Sequence, residues 1–410
     1  MGAQTSRRDL LRGGVAGLVL AGVPRGLVLA DEAVPVRNVS EPPARKFLTK
    51  ASDFEDVSRG EPIPHTLKGE ALVQAKLTPQ TWRLEIAAQD KAQVQKSLTL
   101  ENNAALDYAA LVELGKTKAI RYFKALQCNN IALPLGQGLW EGVPLRDLLA
   151  LCGPIANVRR VFYWGFHNND PKQIFRSSLA LNQVLDTPPG EMPPIIAYRL
   201  NGEAIPLERG GPVRMIVPWA HGFKSVKWLQ KIVLTNRYEA NDTYAEANND
   251  PESYLKTAAY FDSNADESFK PEQIRITGIA MAGLPGLERV EYWLRAAANP
   301  VRELAPNDPA WAAAQWSPAV IEPAPSDWAG QLPDGILPSG IWDFTREGKP
   351  KEWPMRYSVA HWNLLLSPLK PGKYELRVRS VDKNGFAQPE PRPGQRSGKN
   401  LVQCKVLSIG

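Results

Sequence analysis

The sequence predicts an α+β domain followed by a β-sandwich. Three observations carry that prediction. The chain has 410 residues, too many for one ordinary core and enough for two domains. Its 36 prolines argue against an all-helical protein and for a loop-rich one with much β-structure. Its patterning also changes near residue 270. Before that point strands and helices are mixed without a regular β-α-β rhythm; after it come alternating strands separated by proline-rich loops.

Composition fits a folded, soluble protein, with 43% hydrophobic and 22% charged residues. The formal net charge is +6, and Arg7, Arg8, Arg12 and Arg25 against Asp9 place half of it in the first 30 residues. No long basic run follows, so nucleic-acid binding has no support. The three cysteines, Cys128, Cys152 and Cys404, are too few for a disulfide framework. No C-x-x-C pattern occurs, which argues against a zinc ribbon, a cysteine-rich iron–sulfur site and a covalently attached c-type haem.

The N-terminus reads Ser6-Arg7-Arg8-Asp9-Leu10-Leu11-Arg12, then an apolar, glycine-rich stretch from Gly13 to Gly22. This is the pattern of a twin-arginine signal peptide over residues 1–30, with cleavage expected near Ala30. The apolar stretch is too short for a stable membrane span. A protein sent by that route is expected in the periplasm. The route exports folded proteins, often around a cofactor, so the leader already hints at one.

Residues 31–75 are polar and contain prolines, and read as an extended arm over a domain surface. Trp82 to Ile86 alternates as a strand. Residues 104–114 have helical spacing, with Gly115 as the expected stop. Ile120 to Leu126 is a strand running into Gln127-Cys128-Asn129-Asn130, and a glycine-rich loop with Gly136, Gly138 and Gly142 follows. Pro144 to Leu151 is a short helix. Arg160 to Trp164, Val213 to Val217 and Lys231 to Leu234 are further strands. From residue 274 onward Ile274–Ile279, Val290–Leu294, Tyr374–Arg379 and Leu401–Leu407 alternate, with a turn at Lys383-Asn384-Gly385. Strands of this kind predict an immunoglobulin-like sandwich. Residues 299–345 are a long proline- and tryptophan-rich insertion within it, and a loop of that length is functional or packed on a partner. The expected division is 1–30, 31–265 and 266–410.

Two places carry candidate chemistry. Cys128 lies at a strand end before a glycine-rich loop, where a thiolate can face a cavity; by position alone it reads either as a soft metal ligand or as a buried free thiol. Cys152 and Cys404 read as core. The second place is the strand ending at Pro218, followed by Trp219-Ala220-His221-Gly222-Phe223-Lys224-Ser225-Val226-Lys227. Cations and backbone donors gathered after a strand make either a phosphate cradle or a solvated basic loop.

Several motifs resemble one known family. Ala197-Tyr198-Arg199-Leu200-Asn201-Gly202-Glu203-Ala204-Ile205-Pro206, then Gly210 to Leu229, is similar to the molybdopterin-binding domain of sulfite oxidases, in the pattern A-Y-x-x-N-G-x-x-[LI]-P, G-x-P-x-R, V-P-x-x-x-G-x-x-S-V-K-W-L. Leu126-Gln127-Cys128 resembles the family's L-Q-C, and Gly142 to Leu149 its G-x-x-L-R-D-x-L. Pro371 to Arg379 and Asp382 to Pro389 resemble its immunoglobulin-like dimerisation domain. The resemblance implies a molybdenum–molybdopterin oxidoreductase with Cys128 as the metal ligand. It implies Arg214, His221, Lys224, Ser225 and Lys227 as pterin and phosphate contacts, and a homodimer. With no haem or flavin motif present, it also implies a separate electron acceptor such as cytochrome c.

The pattern departs from the family at three points. The arginine that follows the family's cysteine is absent, since Asn129-Asn130-Ile131-Ala132 stand there. The tyrosine over the metal is matched by Phe175 in Phe175-Arg176-Ser177-Ser178, and phenylalanine cannot donate a hydrogen bond. The arm lacks an F-x-R-N-H run, with Lys68-Gly69-Glu70 in its place. An anionic substrate needs compensating charge in a dry pocket, and Arg176 is the expected source, with His167 or Lys172 beside it. The expected activity is oxidation of sulfite or a related small sulfur compound. The alternatives are a sulfoxide-reductase-type catalytic subunit, or a non-catalytic relative that binds the cofactor.

Overall fold

The computed structural model describes residues 45–129, 131, 133–243, 252–263, 266–270, 274–305, 307–389 and 400–410. The expected leader, residues 1–30, and the first part of the arm lie outside the described residues. Three main sheets organise the rest.

The first sheet has five strands in the order Leu106–Asp107, Arg83–Gln89, Leu229–Thr235, Arg160–Gly165, Arg176–Ala180. Arg83–Gln89 and Leu229–Thr235 run parallel, and the other pairs are antiparallel. The second sheet has the order Glu203–Ala204, Ile195–Leu200, Gly136–Pro144, Ile120–Leu126, with Arg214–Ile216 also paired to Ile195–Leu200. Between these two sheets lies a core that includes Trp82, Leu84, Tyr163, Val213, Met215 and Leu229.

Two readings of this region need correction. Gly136, Gly138 and Gly142 do not form a loop: Gly136–Pro144 is a strand paired along its length with Ile120–Leu126. The helix expected over 104–114 spans Tyr108–Lys118, with the Asp107 carboxylate accepting from the Ala110 backbone N–H at 2.8 Å as its cap. Gly115 does not stop it. That residue is a close-packing site, since a Cβ there would sit 2.2 Å from the Tyr198 hydroxyl.

The third sheet has eight strands, in the order Ala258–Phe261, Ile274–Met281, Val359–Leu366, Ser317–Ile321, Leu287–Ala296, Gly372–Asp382, Gln403–Ile409, Glu267–Phe269. It curls as a β-sandwich does. One cluster takes Ile274, Ile276, Trp362 and Leu364 from one half and Val290, Leu376, Val378 and Leu407 from the other. Ser317–Ile321, inside the expected insertion, joins the halves by pairing with Leu287–Ala296 on one side and Val359–Leu366 on the other. The sheet begins at Ala258, a few residues before the boundary expected at 266. Pro43–Gly410 form one compact unit.

The rest of the insertion explains how the cysteine strand is held. Ile120–Leu126 is the last strand of its sheet, so its outer edge needs partners. Residues near the insertion's end and just after it supply them: the Trp342 N–H donates to the Arg121 carbonyl at 2.7 Å, and the Ala125 N–H donates to the Tyr357 carbonyl at 2.8 Å. Around this seam pack Phe47, Phe123, Trp328 and Phe344, with ring centroids 4.6–5.4 Å apart in the closest pairs. Rings at those separations meet edge-on or tilted and bury large areas.

Candidate active site

A cavity opens where the two N-terminal sheets end. Leu126 and Cys128 enter from the end of the second sheet, Gly165 to Asn168 and Phe175 from the first, Arg214 from its short strand, and Arg209, Gly222, Phe223 and Ser225 to Trp228 from the loops between. The arm covers it with Phe54, Glu55, Val57, Ser58, Arg59 and Gly60.

Cys128 lies two residues past the end of the strand Ile120–Leu126 and is half-buried with a free thiol. Its position is fixed by its neighbour. The Gln127 carbonyl accepts the Gly222 N–H at 2.7 Å, and the His221 Nδ1 lies 3.4 Å from the same oxygen. The Gln127 side-chain amide donates to the Cys128 carbonyl at 3.1 Å. Cys152 is buried in the first core, where burial pushes its thiol up to about 11. Cys404 lies on Gln403–Ile409. Neither lines the cavity.

The cradle loop is held close to the first sheet by Gly165. A Cβ there would lie 2.1 Å from the Lys227 carbonyl, so only glycine lets the two backbones approach. Arg214 is buried and donates to the Arg209 carbonyl at 2.5 Å and the Ser225 carbonyl at 2.6 Å. Its guanidinium lies 5.2 Å from the Trp140 ring centre. Burial, with the Arg209 charge beside it, pulls its pKa down to about 9. Ser225 is buried and its hydroxyl accepts the Val217 N–H at 3.1 Å. Lys227 lines the cavity but gives its ammonium protons to Asp56 Oδ1 at 2.9 Å, Ser58 Oγ at 2.7 Å and the Glu208 carbonyl at 2.6 Å. Burial and the nearby Arg214 lower it to about 8 despite Asp56.

Other expected residues stand elsewhere. Lys224 is turned away from the cavity into a buried ion pair with Asp242 at 2.7 Å, so the phosphate contact expected of it is replaced by a structural one. His221 is fully buried behind the cysteine loop. Phe175 is part of the cavity wall, but Arg176 is exposed and lies outside it. Successive residues entering a strand face opposite ways, so a residue next to Phe175 cannot share its wall. Lys172 is likewise exposed, whereas His167 does line the cavity. Lys68-Gly69-Glu70 are exposed at the start of a short helix, and the arm meets the cavity at residues 54–60 instead.

Sequence reasoning missed Arg59, Arg209 and Asp56. Arg59 comes from the arm and lies with its guanidinium 5.4 Å from the Phe175 ring centre. Arg209 is buried and donates to the Phe54 carbonyl at 2.7 Å. None sits in a periodic pattern; the one available signal was the density of charge in Glu55-Asp56-Val57-Ser58-Arg59, in a segment treated as surface.

The donor set fits an anionic, sulfur-bearing metal cofactor. The Nε atoms of the buried Arg209 and Arg214 have no hydrogen-bond partner among the described residues. Buried donors left that way are costly unless an acceptor joins them. Among the described residues no group of three His, Cys, Asp or Glu side chains could hold a metal by itself. One cavity-facing thiol therefore has to share a metal with ligands brought by the cofactor.

Comparison with known proteins agrees. Residues 70–243 match the family of the oxidoreductase molybdopterin binding domain. The chain is 29% identical over 262 residues to the protein-methionine-sulfoxide reductase catalytic subunit of Burkholderia mallei, covering 58% of this chain and 72% of that one. It is 30% identical over 168 residues to the mitochondrial sulfite oxidase of Drosophila melanogaster, covering 39% and 28%. With the nitrate reductase of Fusarium oxysporum it shares 35% identity over 107 residues, 26% of this chain and only 11% of that enzyme. The crystal structure of a sulfane dehydrogenase from Paracoccus pantotrophus shares the fold, with a TM-score of 0.57 at 17% identity over 85% of this chain and 86% of that one.

Residues 70–243 are thus similar to a molybdopterin-binding oxidoreductase domain. Over that region the chain is similar to a sulfite oxidase and to a methionine-sulfoxide reductase subunit, and the cofactor of such a domain is molybdenum held by molybdopterin.

Proposed function

We propose that this protein oxidises sulfite or a related small sulfur compound at a molybdenum bound by Cys128, and passes the electrons to a separate cytochrome c. The observation that carries the reading is the meeting of the Cys128 thiol with buried cations in one cavity. The bound cofactor supplies a two-electron redox centre able to exchange an oxygen atom. The chain's residues hold and shield it. Cys128 offers a soft thiolate, kept in place by the Gln127–Gly222 hydrogen bond. Arg209 and Arg214 balance negative charge in a poorly hydrated space. Phe166, Phe175 and Phe223 form apolar walls that limit water. For sulfite the balance is one water consumed, one sulfate formed, and two protons and two electrons released, the electrons leaving singly to two acceptor molecules.

Three of the four relatives support a sulfur substrate, since their names give sulfite, sulfane and methionine sulfoxide, while the fourth, which matches over the shortest stretch, is named for nitrate. The fold match over 85% of the chain favours an oxidase over a reductase, because it takes in much of the C-terminal sheet. We read that sheet as an immunoglobulin-like dimerisation domain and the protein as a homodimer. We read the first 30 residues as a twin-arginine signal leading to the periplasm; among the described residues no helix is long and apolar enough to cross a membrane. A reductase reading is favoured by one observation, the match to 72% of the methionine-sulfoxide reductase subunit.

The test is made on protein exported by its native host, beside Cys128→Ser. Molybdenum is measured per chain, sulfur coordination by X-ray absorption, and turnover in both directions, with sulfite or thiosulfate against oxidised cytochrome c and with methionine sulfoxide against a reduced dye. One metal per chain, loss of one sulfur ligand in the variant and oxidation of a sulfur anion are expected. Turnover only with the sulfoxide would replace the oxidase reading by the reductase one. Bound pterin with turnover in neither direction would leave a non-catalytic binding protein.

A further inference from the structure

The C-terminal sheet has an outer face that its own core does not use. Val290, Tyr292 and Leu294 pack into the core from Leu287–Ala296, and Leu376 and Val378 do so from Gly372–Asp382. The residues that alternate with them point the other way. The register sets Glu291 beside Arg379, Trp293 beside Arg377 and Arg295 beside Glu375. Cys404, on Gln403–Ile409, stands on the far side of Arg377. The first part of the insertion folds back over this face, and brings the ring centres of Trp311 and Trp316 within 6.3 and 6.0 Å of Trp293.

Charge on this face does not balance. Arg289 and Arg379 share Glu291, and Arg295 and Arg377 share Glu375, so four guanidinium groups lean on two carboxylates. The second set is the deeper one, with Glu375 0% and Arg377 2% exposed. Arg295 takes the hydrogen bond of Glu375. The Arg377 Nη2 stays 3.6 Å from that carboxylate and donates to the Arg302 carbonyl at 2.7 Å instead. Among the described residues this is the only hydrogen bond that the Arg377 guanidinium makes, and its Nε has no partner. A buried guanidinium left that way is costly until an anion joins it.

Arg377 lies on the floor of a cleft of about 590 Å³. Clefts of about 300–1,000 Å³ take small organic ligands. Leu304, Val402 and Trp311 give it apolar walls. The Trp311 ring is fixed by its N–H, which donates to the Ala305 carbonyl at 2.7 Å, and its centre lies 5.6 Å from the Arg377 guanidinium. Cys404 lines the same cleft with a half-buried free thiol. The other charged residues on the wall, Arg302 and Glu303, are exposed, where water and salt screen them. None of these residues lines the cofactor cavity.

We propose that this cleft is a second ligand site, which takes a small organic anion with one carboxylate or sulfonate head and an apolar body. The head meets Arg377, and the body lies along Trp311, Leu304 and Val402. The site rests neither on the cofactor assignment nor on the substrate. A neutral molecule of the same shape leaves Arg377 without its anion, and a cation adds to a face already in positive excess.

The experiment uses the full-length holoprotein and three probes of equal length: octanoate, 1-octanol and octylammonium. Binding is read at Cys404, as the rate at which N-ethylmaleimide labels it, followed by mass spectrometry of its peptide. Octanoate is expected to slow that labelling saturably. The alcohol should need about tenfold more for the same protection, the scale of one charge-assisted hydrogen bond, and the ammonium should give none. Arg377→Gln should weaken protection by octanoate about tenfold. Val402→Glu, which offers the cleft a carboxylate of its own from a half-buried position, should do the same. If Arg377→Gln does not fold, Val402→Glu carries the comparison. No protection by octanoate, equal protection by all three probes, or wild-type protection in the variant that folds would overturn the site.

Discussion

Lys224 Nζ lies 2.7 Å from Asp242 Oδ1, with both side chains almost wholly out of water. Asp242 also accepts from Ser177 at 2.6 Å and Ser178 at 2.8 Å, and Lys224 donates to the Ser178 carbonyl at 2.8 Å. The pair ties the cradle loop to the strand that follows Phe175. Burial still pulls the lysine below its ordinary pKa, although Asp242 opposes it. Lys224→Met leaves a buried carboxylate without its cation and should cost about 3–5 kcal/mol in urea unfolding. Lys224→Met with Asp242→Asn should cost clearly less than the sum of the two single changes. Additive losses would show the pair is not coupled.

Phe175 and Arg176 separate two ideas about substrate charge. Arg176 is exposed and outside the cavity, so Arg176→Ala should leave KM for an anionic substrate within about twofold of wild type. Arg59, which stands over the Phe175 ring, should matter more: Arg59→Ala should raise that KM about tenfold, the scale of one charge-assisted contact. Steady-state kinetics on the three proteins reads both. A large effect at Arg176 with none at Arg59 would return the role to Arg176.

Lys124 gives a pH dependence with a definite sign. It is fully buried, two residues before Leu126 on the same strand face, and its amine donates to the Ala125 carbonyl at 2.8 Å. Burial holds its pKa well below the ordinary 10.5. Between the folded and unfolded pKa values the unfolded chain binds one more proton, so stability rises with pH in that window. The cost of burying the ammonium is fully present below the folded pKa and is relieved as pH climbs toward 10.5. Lys124→Met should be more stable than wild type at neutral pH, and its stability should lack that alkaline rise. Parallel pH profiles of unfolding free energy for the two proteins would contradict the assignment.

Trp328 tests the seam beside the cysteine strand. It is 6% exposed and its ring sits 4.6 Å from Phe47, 5.3 Å from Phe123 and 5.2 Å from Phe344. Trp328→Ala should cost about 3–5 kcal/mol. It should also raise hydrogen exchange at the Ala125 amide, which bonds to Tyr357 at the same seam. Loss of stability without a change at Ala125 would mean that the cluster and the strand edge are independent.

Much of this was legible before the fold was known. The run Ile120 to Leu126 placed the strand and left Cys128 just past its end, and the later strands at 274, 290, 374 and 401 stood close to where they are found. Gly136 to Gly142 misled, because glycines that suit a loop also suit a strand packed tightly by its neighbours. Gly115 misled for a related reason: it makes room for Tyr198, which is 83 positions away and gives no local signal. At the site, Arg214 and Ser225 came to line the cavity, at a spacing that a motif fixes. Lys224 did not, because whether a lysine turns toward a cavity or toward Asp242 depends on a partner supplied by another segment. Arg59 and Asp56 were hidden because the arm carries no hydrophobic period, and only tertiary packing brings it over the cavity; Arg209 was hidden in a short turn with no pattern of its own.

The outer edge of Ile120–Leu126 has a consequence for how the protein is made. Its hydrogen-bonding partners are Trp342 and Tyr357, more than two hundred positions later in the chain. A ribosome that has delivered the first 300 residues has delivered every residue lining the cavity and both N-terminal sheets, yet the strand bearing Cys128 still has one side open. That edge is therefore closed only after most of the chain has been made, and its pairing is among the last backbone contacts around the cavity that a nascent chain can form.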